Sequence, residues 1–385
     1  MMKRSLNRLV IVTHRFVTSP GDDLRAYEMR KSKEVMYIVH GFADRKDRRS
    51  FYLHDKGFDR IQSRVSIDYR KLPDFLVLIK DFLYTVYWVL STKKRWDLLV
   101  AMDSLNFVAG YTLKRLGFVG NAIFWTTDFT PVRFSNRWKN SLYHRINRFG
   151  LAKCDAAWYL SERMNEGQRK GYGISLPEKK FVVPRGAWSK YGRLPPFESI
   201  EKHTVVFLGH LLEKQGVQLA LRAIPHIVEE IPDFKLVVIG GGHYETRLKH
   251  LAKQLNIERY VEFTGVIRNH EDIEDRISNY AMGLAPYDKT KDTWTYFADP
   301  GKIREYAAAG LPVILTSLPY NAKELENLQC AIIIDYDEKA LANAIVKMMK
   351  DESLLRLYKE NAARYSIGYD WNRIFQEALA RLESN

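Results

Sequence analysis

Lys302 and Glu305 stand three residues apart, after Asp299-Pro300-Gly301 and before Gly310-Leu311-Pro312. Proline suits a first helical turn and glycine a helix stop, so the spacing predicts a helix over about 300–309. Both side chains then share one face near its N-terminus. Backbone N–H groups, the helix dipole and an ammonium at that point suit a diphosphate, and a carboxylate one turn on suits a ribose diol. A surface Lys–Glu pair on an amphipathic helix has the same spacing, and spacing alone leaves both readings open.

Two other motifs favour plainer readings. Gly240-Gly241-Gly242-His243 follows the apolar run Lys235 to Ile239, but a dinucleotide fingerprint would place its third glycine where Glu245 stands. A dehydrogenase is therefore disfavoured, and a tight strand-to-helix turn, with N–H groups able to line a phosphate, is preferred. Asp335-Tyr336-Asp337 has the D-x-D spacing of a divalent-metal site, yet Asp337 opens an amphipathic stretch and reads better as an N-cap. No other cluster has metal-ligand spacing, so no metal and no cofactor is expected. Cys154 and Cys330 belong to no C-x-x-C pair.

The elements that must carry these residues follow a repeating pattern. Short apolar runs fall at 8–13, 35–40, 98–102, 122–126, 155–160 and 180–184, and again near 204–209, 235–240, 260–264, 281–286, 312–316 and 330–335. Helical stretches separate them, which indicates α/β architecture with two doubly wound, Rossmann-like parallel sheets. The aperiodic segment 185–203, with two glycines and two prolines, reads as a linker. The expected division is a domain over 1–190, a second over 200–365, and a final helical stretch 366–385 crossing back to the first. Ligands of such sheets bind at the strand C-termini, here expected to face a shared cleft.

Charge divides along the same line. The chain carries +14, but residues 1–200 carry +18 and residues 201–385 carry −4. A basic first half attracts nucleic acid or anionic lipid. Met1-Met2-Lys3-Arg4 looks like the start of a signal peptide, but the apolar run Leu9–Val12 is too short to complete one, so a reducing cytosol is expected.

The order of motifs in the second half resembles the nucleotide-sugar domain of GT-B glycosyltransferases. Val206-Phe207-Leu208-Gly209-His210 with Lys214-Gln215-Gly216-Val217 resembles the opening "hGR…KGh" of group 1, or bacterial polysaccharide-type, members. Pro232 to Gly242, Val261 to Gly265, Leu284 to Tyr287, and Glu305 to Val313 match further pieces, the last resembling "E-A-M-A-x-G-x-P-V". The match covers roughly 204–350, while the first half matches only in outline. The resemblance implies transfer of a sugar from a nucleotide diphosphate sugar. It implies donor contacts from His210, Lys214, Gly241, Gly242, Gly265, Tyr287, Asp299, Lys302 and Glu305. Three positions depart from the pattern. His210 replaces the basic residue after the first glycine, Gln215 replaces the lysine before Gly216, and Phe297 stands where a first glutamate is usual. The Ala-Asp-Pro-Gly-Lys variant is instead similar to a branch with polysaccharide glucuronosyltransferases, in which the lysine serves the phosphates.

That branch carries its base where Asp128 ends the run Phe124-Trp125-Thr126-Thr127. A carboxylate there suits deprotonation of an acceptor hydroxyl, and a strand-end turn aspartate is the plain alternative. The acceptor expected for a basic first half is a lipid-linked or polysaccharide chain at an anionic membrane surface. Arg45, Lys46, Arg48, Arg49, Lys93, Lys94 and Arg95 are the candidate contacts. The apolar run 75–90 is too short to span a bilayer and is interrupted by Lys80-Asp81. A buried core helix is favoured for most of it, with an interfacial helix as the alternative. The resulting expectation is a cytoplasmic glycosyltransferase held peripherally on the inner membrane face. A same-fold epimerase or hydrolase is the near alternative. A nucleic-acid-binding protein is the distant one, disfavoured because no helix-turn-helix, zinc-finger or RNP pattern appears.

Overall fold

The computed structural model describes residues 6–15, 18–42, 47–67, 72–173, 177–267, 270–291 and 294–383. They form two compact units, one of the chain up to Pro184 with the residues from Ile374 onward, the other of Arg185–Arg373.

The first unit runs β1 (Arg8–His14), α1 (Pro20–Glu28), β2 (Glu34–His40), β3 (Phe51–Lys56), β4 (Asp59–Val65), α2 (Asp74–Ser91) and β5 (Trp96–Met102). It continues with α3 (Ser104–Arg115), β6 (Val119–Thr126), α4 (Arg137–Lys153), β7 (Ala156–Tyr159), α5 (Glu162–Tyr172) and β8 (Lys180–Val182). Its eight strands lie in the order β4-β3-β2-β1-β5-β6-β7-β8. The central strands are parallel and buried along nearly their whole length, as their apolar runs require. The hairpin β3–β4 is antiparallel and was not expected. Strand β4 reads Asp-Arg-Ile-Gln-Ser-Arg-Val and is exposed at almost every position, so a search for apolar runs passes over it. Sequence order reverses between β1, which leads to β2 on one side, and β5, which leads to β6 on the other. Such a reversal opens a crevice at the strand C-termini.

Helix α2 is turned opposite to its composition. It buries Lys80 and Asp81 along with Val77, Thr85, Trp88 and Val89. Phe75, Ile79, Leu83 and Tyr87, spaced by four, are 63, 49, 57 and 56% exposed. The inward charges are satisfied: Lys80 Nζ donates to Arg48 O at 2.6 Å and Ser50 Oγ at 2.9 Å, and lies 2.7 Å from Asp81. The buried-helix reading thus holds for one face only. Among the described residues no helix is long and apolar enough to cross a membrane.

The second unit runs β9 (Glu201–Leu208), α6 (Val217–Val228), β10 (Lys235–Ile239), α7 (Glu245–Gln254), β11 (Val261–Gly265), α8 (His270–Ser278) and β12 (Tyr280–Ala285). Then come α9 (Trp294–Phe297), α10 (Gly301–Ala308), β13 (Val313–Thr316), α11 (Ala322–Asn327), β14 (Ala331–Ile334), α12 (Glu338–Lys350) and α13 (Glu352–Ser366). All six strands are parallel, in the order β11-β10-β9-β12-β13-β14, and the order reverses between β9 and β12. One apolar layer packs α6 and α12 against the sheet, and the other packs α8 and α10. Asp337 caps α12 by accepting the Ala340 N–H at 2.8 Å, as the capping reading of Asp335-Tyr336-Asp337 requires. The last helix, α14, spans Trp371–Glu383, and its Phe375 packs on Tyr27 of α1 and Trp125 of β6.

Gly216 joins β9 to α6 with φ +78°, and a Cβ there would lie 1.7 Å from Pro286 O. Neither the backbone conformation nor the space admits a side chain. Gly216→Ala is expected to destabilise the protein by about 3 kcal/mol through overpacking and strain, read as a lower urea midpoint at unchanged slope.

Candidate active site

In the second unit the crevice between β9 and β12 is closed from behind by Tyr306 on α10. Its hydroxyl accepts the Leu208 N–H at 2.7 Å and faces the carbonyls of Leu284 and Val206 at 3.2 and 3.3 Å. The phenol thus ties together the two strands at which the order reverses. Gly283 makes room for it, since a Cβ there would lie 2.5 Å from the ring.

Lys302, on the same helix, reaches the end of β9. Its Nζ donates to Gln215 Oε1 at 2.7 Å and lies 3.8 Å from the Phe207 ring centroid and 5.2 Å from that of Tyr287. Gln215, the departure from the family pattern, is therefore the partner that holds Lys302. A Cβ at Gly209 would approach the Lys302 ammonium to 3.2 Å. Gly240 donates its N–H to Gly265 O at 2.9 Å, and Leu211 N–H donates to Gly241 O at 3.1 Å. A Cβ on Gly242 would lie 2.3 Å from Leu211 O. These contacts bring His210, Gly241, Gly242 and Gly265 to the strand ends. Lys214 places its ammonium 4.8 Å from the Trp294 ring centroid. Glu305 is half-buried on α10. Nearby Glu274 is pushed up to about 7, chiefly by burial and with help from Glu305, against the pull of Lys190.

Asp299, expected among the donor contacts, is committed elsewhere. Its carboxylate and the Arg304 guanidinium form an ion pair at 3.2 Å with both side chains fully buried, and it also accepts the Arg185 N–H at 2.9 Å. Arg304 in turn donates to the hydroxyls of Tyr320, at 2.7 Å, and Tyr365, and lies 3.4 Å from the Tyr369 ring centroid. A desolvated carboxylate is tolerated only with such partners, so Asp299 positions α10 from within. Tyr287 is likewise buried, its carbonyl taken by Thr316 Oγ1 at 2.8 Å. The sequence reading missed Arg185, which it placed in the linker. The guanidinium lies against the first residue of α10, where a Cβ on Gly301 would meet it at 2.8 Å, and its Nε is buried without a partner.

In the first unit Asp128 lies just beyond β6, half-buried and ion-paired with Arg133. The Tyr143 hydroxyl donates to the Asp128 carbonyl at 3.4 Å. Beside them, at the β1/β5 reversal, lies a cluster for which the sequence reading had no signal. His14 ends β1, with Nδ1 2.7 Å from Asp103 Oδ2 and Nε2 3.2 Å from Asp81 Oδ2. Burial disfavours its imidazolium, but the two carboxylates outweigh burial and raise the pKa from 6.5 to about 10. Asp81 is held well below the usual carboxylate range, burial being overcome by its bonds to His14 and His40. These residues are dispersed over β1, β2, α2 and the β5–α3 junction, so no spacing rule joins them.

The basic residues divide. Arg45 and Lys46 lie outside the described residues. Arg48 donates to Leu72 O at 2.7 Å and Arg49 to Asp47 at 2.7 and 2.9 Å, while Lys94 reaches buried Glu34 at 2.7 Å. Lys93 and Arg95 are exposed. Among the described residues no group of three or more His, Cys, Asp or Glu is arranged to hold a metal ion.

Two doubly wound sheets, each with its polar residues gathered at a strand-order reversal, define a GT-B fold. Residues 202–351 match the family described as Glycosyl transferases group 1. It is 36% identical over 191 residues to an uncharacterized glycosyltransferase of Haemophilus influenzae, covering 48% of this chain and 49% of that one. It is 25% identical to the phosphatidyl-myo-inositol mannosyltransferase of Mycobacterium leprae, covering 62% and 59%. The structure of Anabaena HepE in complex with UDP shares the fold at a TM-score of 0.70 and 14% identity, covering 99% of this chain and 100% of that one. The chain spans from 24% to 50% of the length of the first curated relatives it matches.

The raised His14 value fixes the sign of a pH effect. Its contribution to stability is fully present below pH 6.5 and is lost as pH rises through about 10. The urea midpoint is therefore expected to fall across that alkaline window in the native chain, and His14→Gln is expected to flatten that part of the profile.

Proposed function

We propose that this chain is a glycosyltransferase that moves a sugar from a nucleotide diphosphate sugar to a lipid-linked or polysaccharide acceptor at a membrane surface. The observation that carries the donor half is the β9/β12 crevice, where Lys302 Nζ stands at the end of β9 and Glu305 follows one turn along α10. An ammonium beside a helix N-terminus suits a diphosphate, and the carboxylate suits a ribose diol. HepE, of the same fold, binds UDP, which makes UDP the first nucleotide to try. Asp128 is the candidate base that takes the proton of the acceptor hydroxyl, with Arg133 holding its carboxylate in place.

The membrane part of the reading rests on α2. Four large apolar side chains face outward where the helix could have buried them, and exposed Lys93 and Arg95 follow its C-terminus. Phe134, Trp138 and Leu142 on and before α4 are exposed as well, next to Arg137 and Lys139. Apolar side chains ringed by cations suit insertion at an anionic leaflet. The name of the Mycobacterium leprae relative, which specifies a phosphatidylinositol acceptor, is in keeping with this.

Two outcomes test the proposal. UDP, GDP, ADP and TDP are screened by thermal shift. At least one should raise the melting temperature by mass action, Lys302→Ala should remove that shift, and Asp128→Asn should keep it while abolishing transfer. No shift with any nucleotide, or full turnover by Asp128→Asn, overturns the respective assignment. In vesicle sedimentation the native chain should bind phosphatidylglycerol vesicles in a salt-sensitive way. Ile79→Glu with Leu83→Glu should weaken binding by about tenfold or more, since each side chain forfeits about 1.5–3 kcal/mol of burial.

A further inference from the structure

An arginine that serves structure alone is recognisable in the second unit by its acceptors. Arg304 has the Asp299 carboxylate and the hydroxyls of Tyr320 and Tyr365. Arg276 donates to Tyr280 Oη at 2.7 Å and to Glu262, and Arg356 donates to Glu198 at 2.7 Å. Arg185 is different. It is partly buried, its Nε is enclosed without a partner, and among the described residues its guanidinium meets no acceptor at all. A guanidinium presents five N–H donors, and enclosing one of them unpaired is costly.

The position of this fork sharpens the cost. It lies against Gly301, the first residue of α10, where a Cβ would meet Nη2 at 2.8 Å and Nε at 3.1 Å. Glycine therefore leaves the room that the guanidinium occupies. No side chain caps α10, Pro300 before it has no N–H to offer, and the Gly301 N–H has no acceptor among the described residues. A helix start carries partial positive charge, so a cation belongs at the other end of the helix. Lys302 adds a second cation to the same turn.

Asp299 does not balance this charge. Its Oδ2 accepts the Arg185 backbone N–H and pairs with Arg304, while its Oδ1 is itself buried without a partner and so does not meet Arg185 Nε. One carboxylate lies near two guanidinium groups and neutralises one of them. The Arg185 backbone is thus pinned by Asp299, and its charge is left over. An oxyanion at this point would fill the guanidinium fork, accept the Gly301 N–H and offset the helix dipole together.

We propose that Arg185 is a further donor-binding residue and a determinant of donor specificity. Its guanidinium, with the Gly301 N–H, takes an anionic group of the donor additional to the phosphate that Lys302 neutralises: the second phosphate, or a carboxylate on the sugar. This rests on the glycosyltransferase reading and adds to it the charge that the donor must present at the start of α10.

The test is calorimetric titration of the full chain with whichever nucleotide raises its melting temperature. The probes are that nucleotide's monophosphate, its diphosphate, and its diphosphate esters of glucose and of glucuronate. Arg185→Gln keeps the backbone N–H that Asp299 accepts and removes the cation. It should weaken binding about tenfold or more, as loss of a charged hydrogen bond implies. Equal loss for the diphosphate and both sugar esters, with none for the monophosphate, assigns the second phosphate. Loss confined to the glucuronate ester assigns the sugar carboxylate. The ligand-free urea midpoint of Arg185→Gln should stay level or rise, because an unbalanced cation leaves a positive helix start. A structural arginine would lower that midpoint and weaken all four ligands alike. If the variant fails to fold, the readout passes to the native chain, where bound diphosphate or glucuronate ester should protect Arg185 from phenylglyoxal, followed by peptide mass spectrometry. Unchanged affinity for all four ligands, uniform loss with a lowered midpoint, or modification of Arg185 as fast with ligand as without would each overturn the assignment while leaving the donor reading in place. A native chain that binds no nucleotide would instead overturn the donor reading, and this assignment with it.

Discussion

The buried pair of Asp299 and Arg304 governs the second unit. Neither charge could stay in the interior alone, so each dictates the place of the other. Arg304 is further ringed by three tyrosines, and Asp299 accepts the backbone N–H of Arg185. The pair clamps the first turn of α10 from inside, and Tyr306 clamps its second turn to β9 and β12. With those two anchors fixed, Lys302 is held at the end of β9. The candidate donor residues of this helix are held in place by its buried ones.

The first unit solves a similar problem with a different device. A histidine between two aspartates is a charged group in a low-dielectric place, and its neighbours stabilise the imidazolium more than burial disfavours it. Lys80 and Asp81 are drawn into the interior from α2 to complete that network, which leaves the apolar side chains of the same helix outward. The exposed stripe and the ordered carboxylate at the sheet end are thus two consequences of one packing choice. Surface chemistry and crevice chemistry in this unit are linked through the rotation of a single helix.

Much of the fold was legible in advance because parallel strands buried on both faces must be apolar runs, and helices between them must carry a 3.6-residue period. Strand β4 escaped because an edge strand can be polar on both faces. Lys302, His210 and Gly242 could be named as donor candidates because close backbone approach and helix starts demand particular residue types at fixed spacing. Asp299 has the right spacing but the wrong orientation, since spacing says which residues share a helix face and not which face is buried. Basic clusters misled in a similar way. Lys94 and Arg48 read as surface charge, yet one neutralises buried Glu34 and the other ties down a loop carbonyl.

The sequence by itself determined the doubly wound α/β architecture, the place of Lys302 and Glu305 on α10, and the uneven distribution of charge. Each of these depends on local periodicity or composition, which a single chain displays without folding. Only the tertiary structure decided that α2 presents its apolar side outward, that Gln215 is the partner of Lys302, and that His14, Asp81 and Asp103 form one network. Those residues are separated by as many as 89 positions, and what joins them is the order in which strands lie in the sheet. Strand order is set by the packing of whole elements, and no short stretch of sequence encodes it.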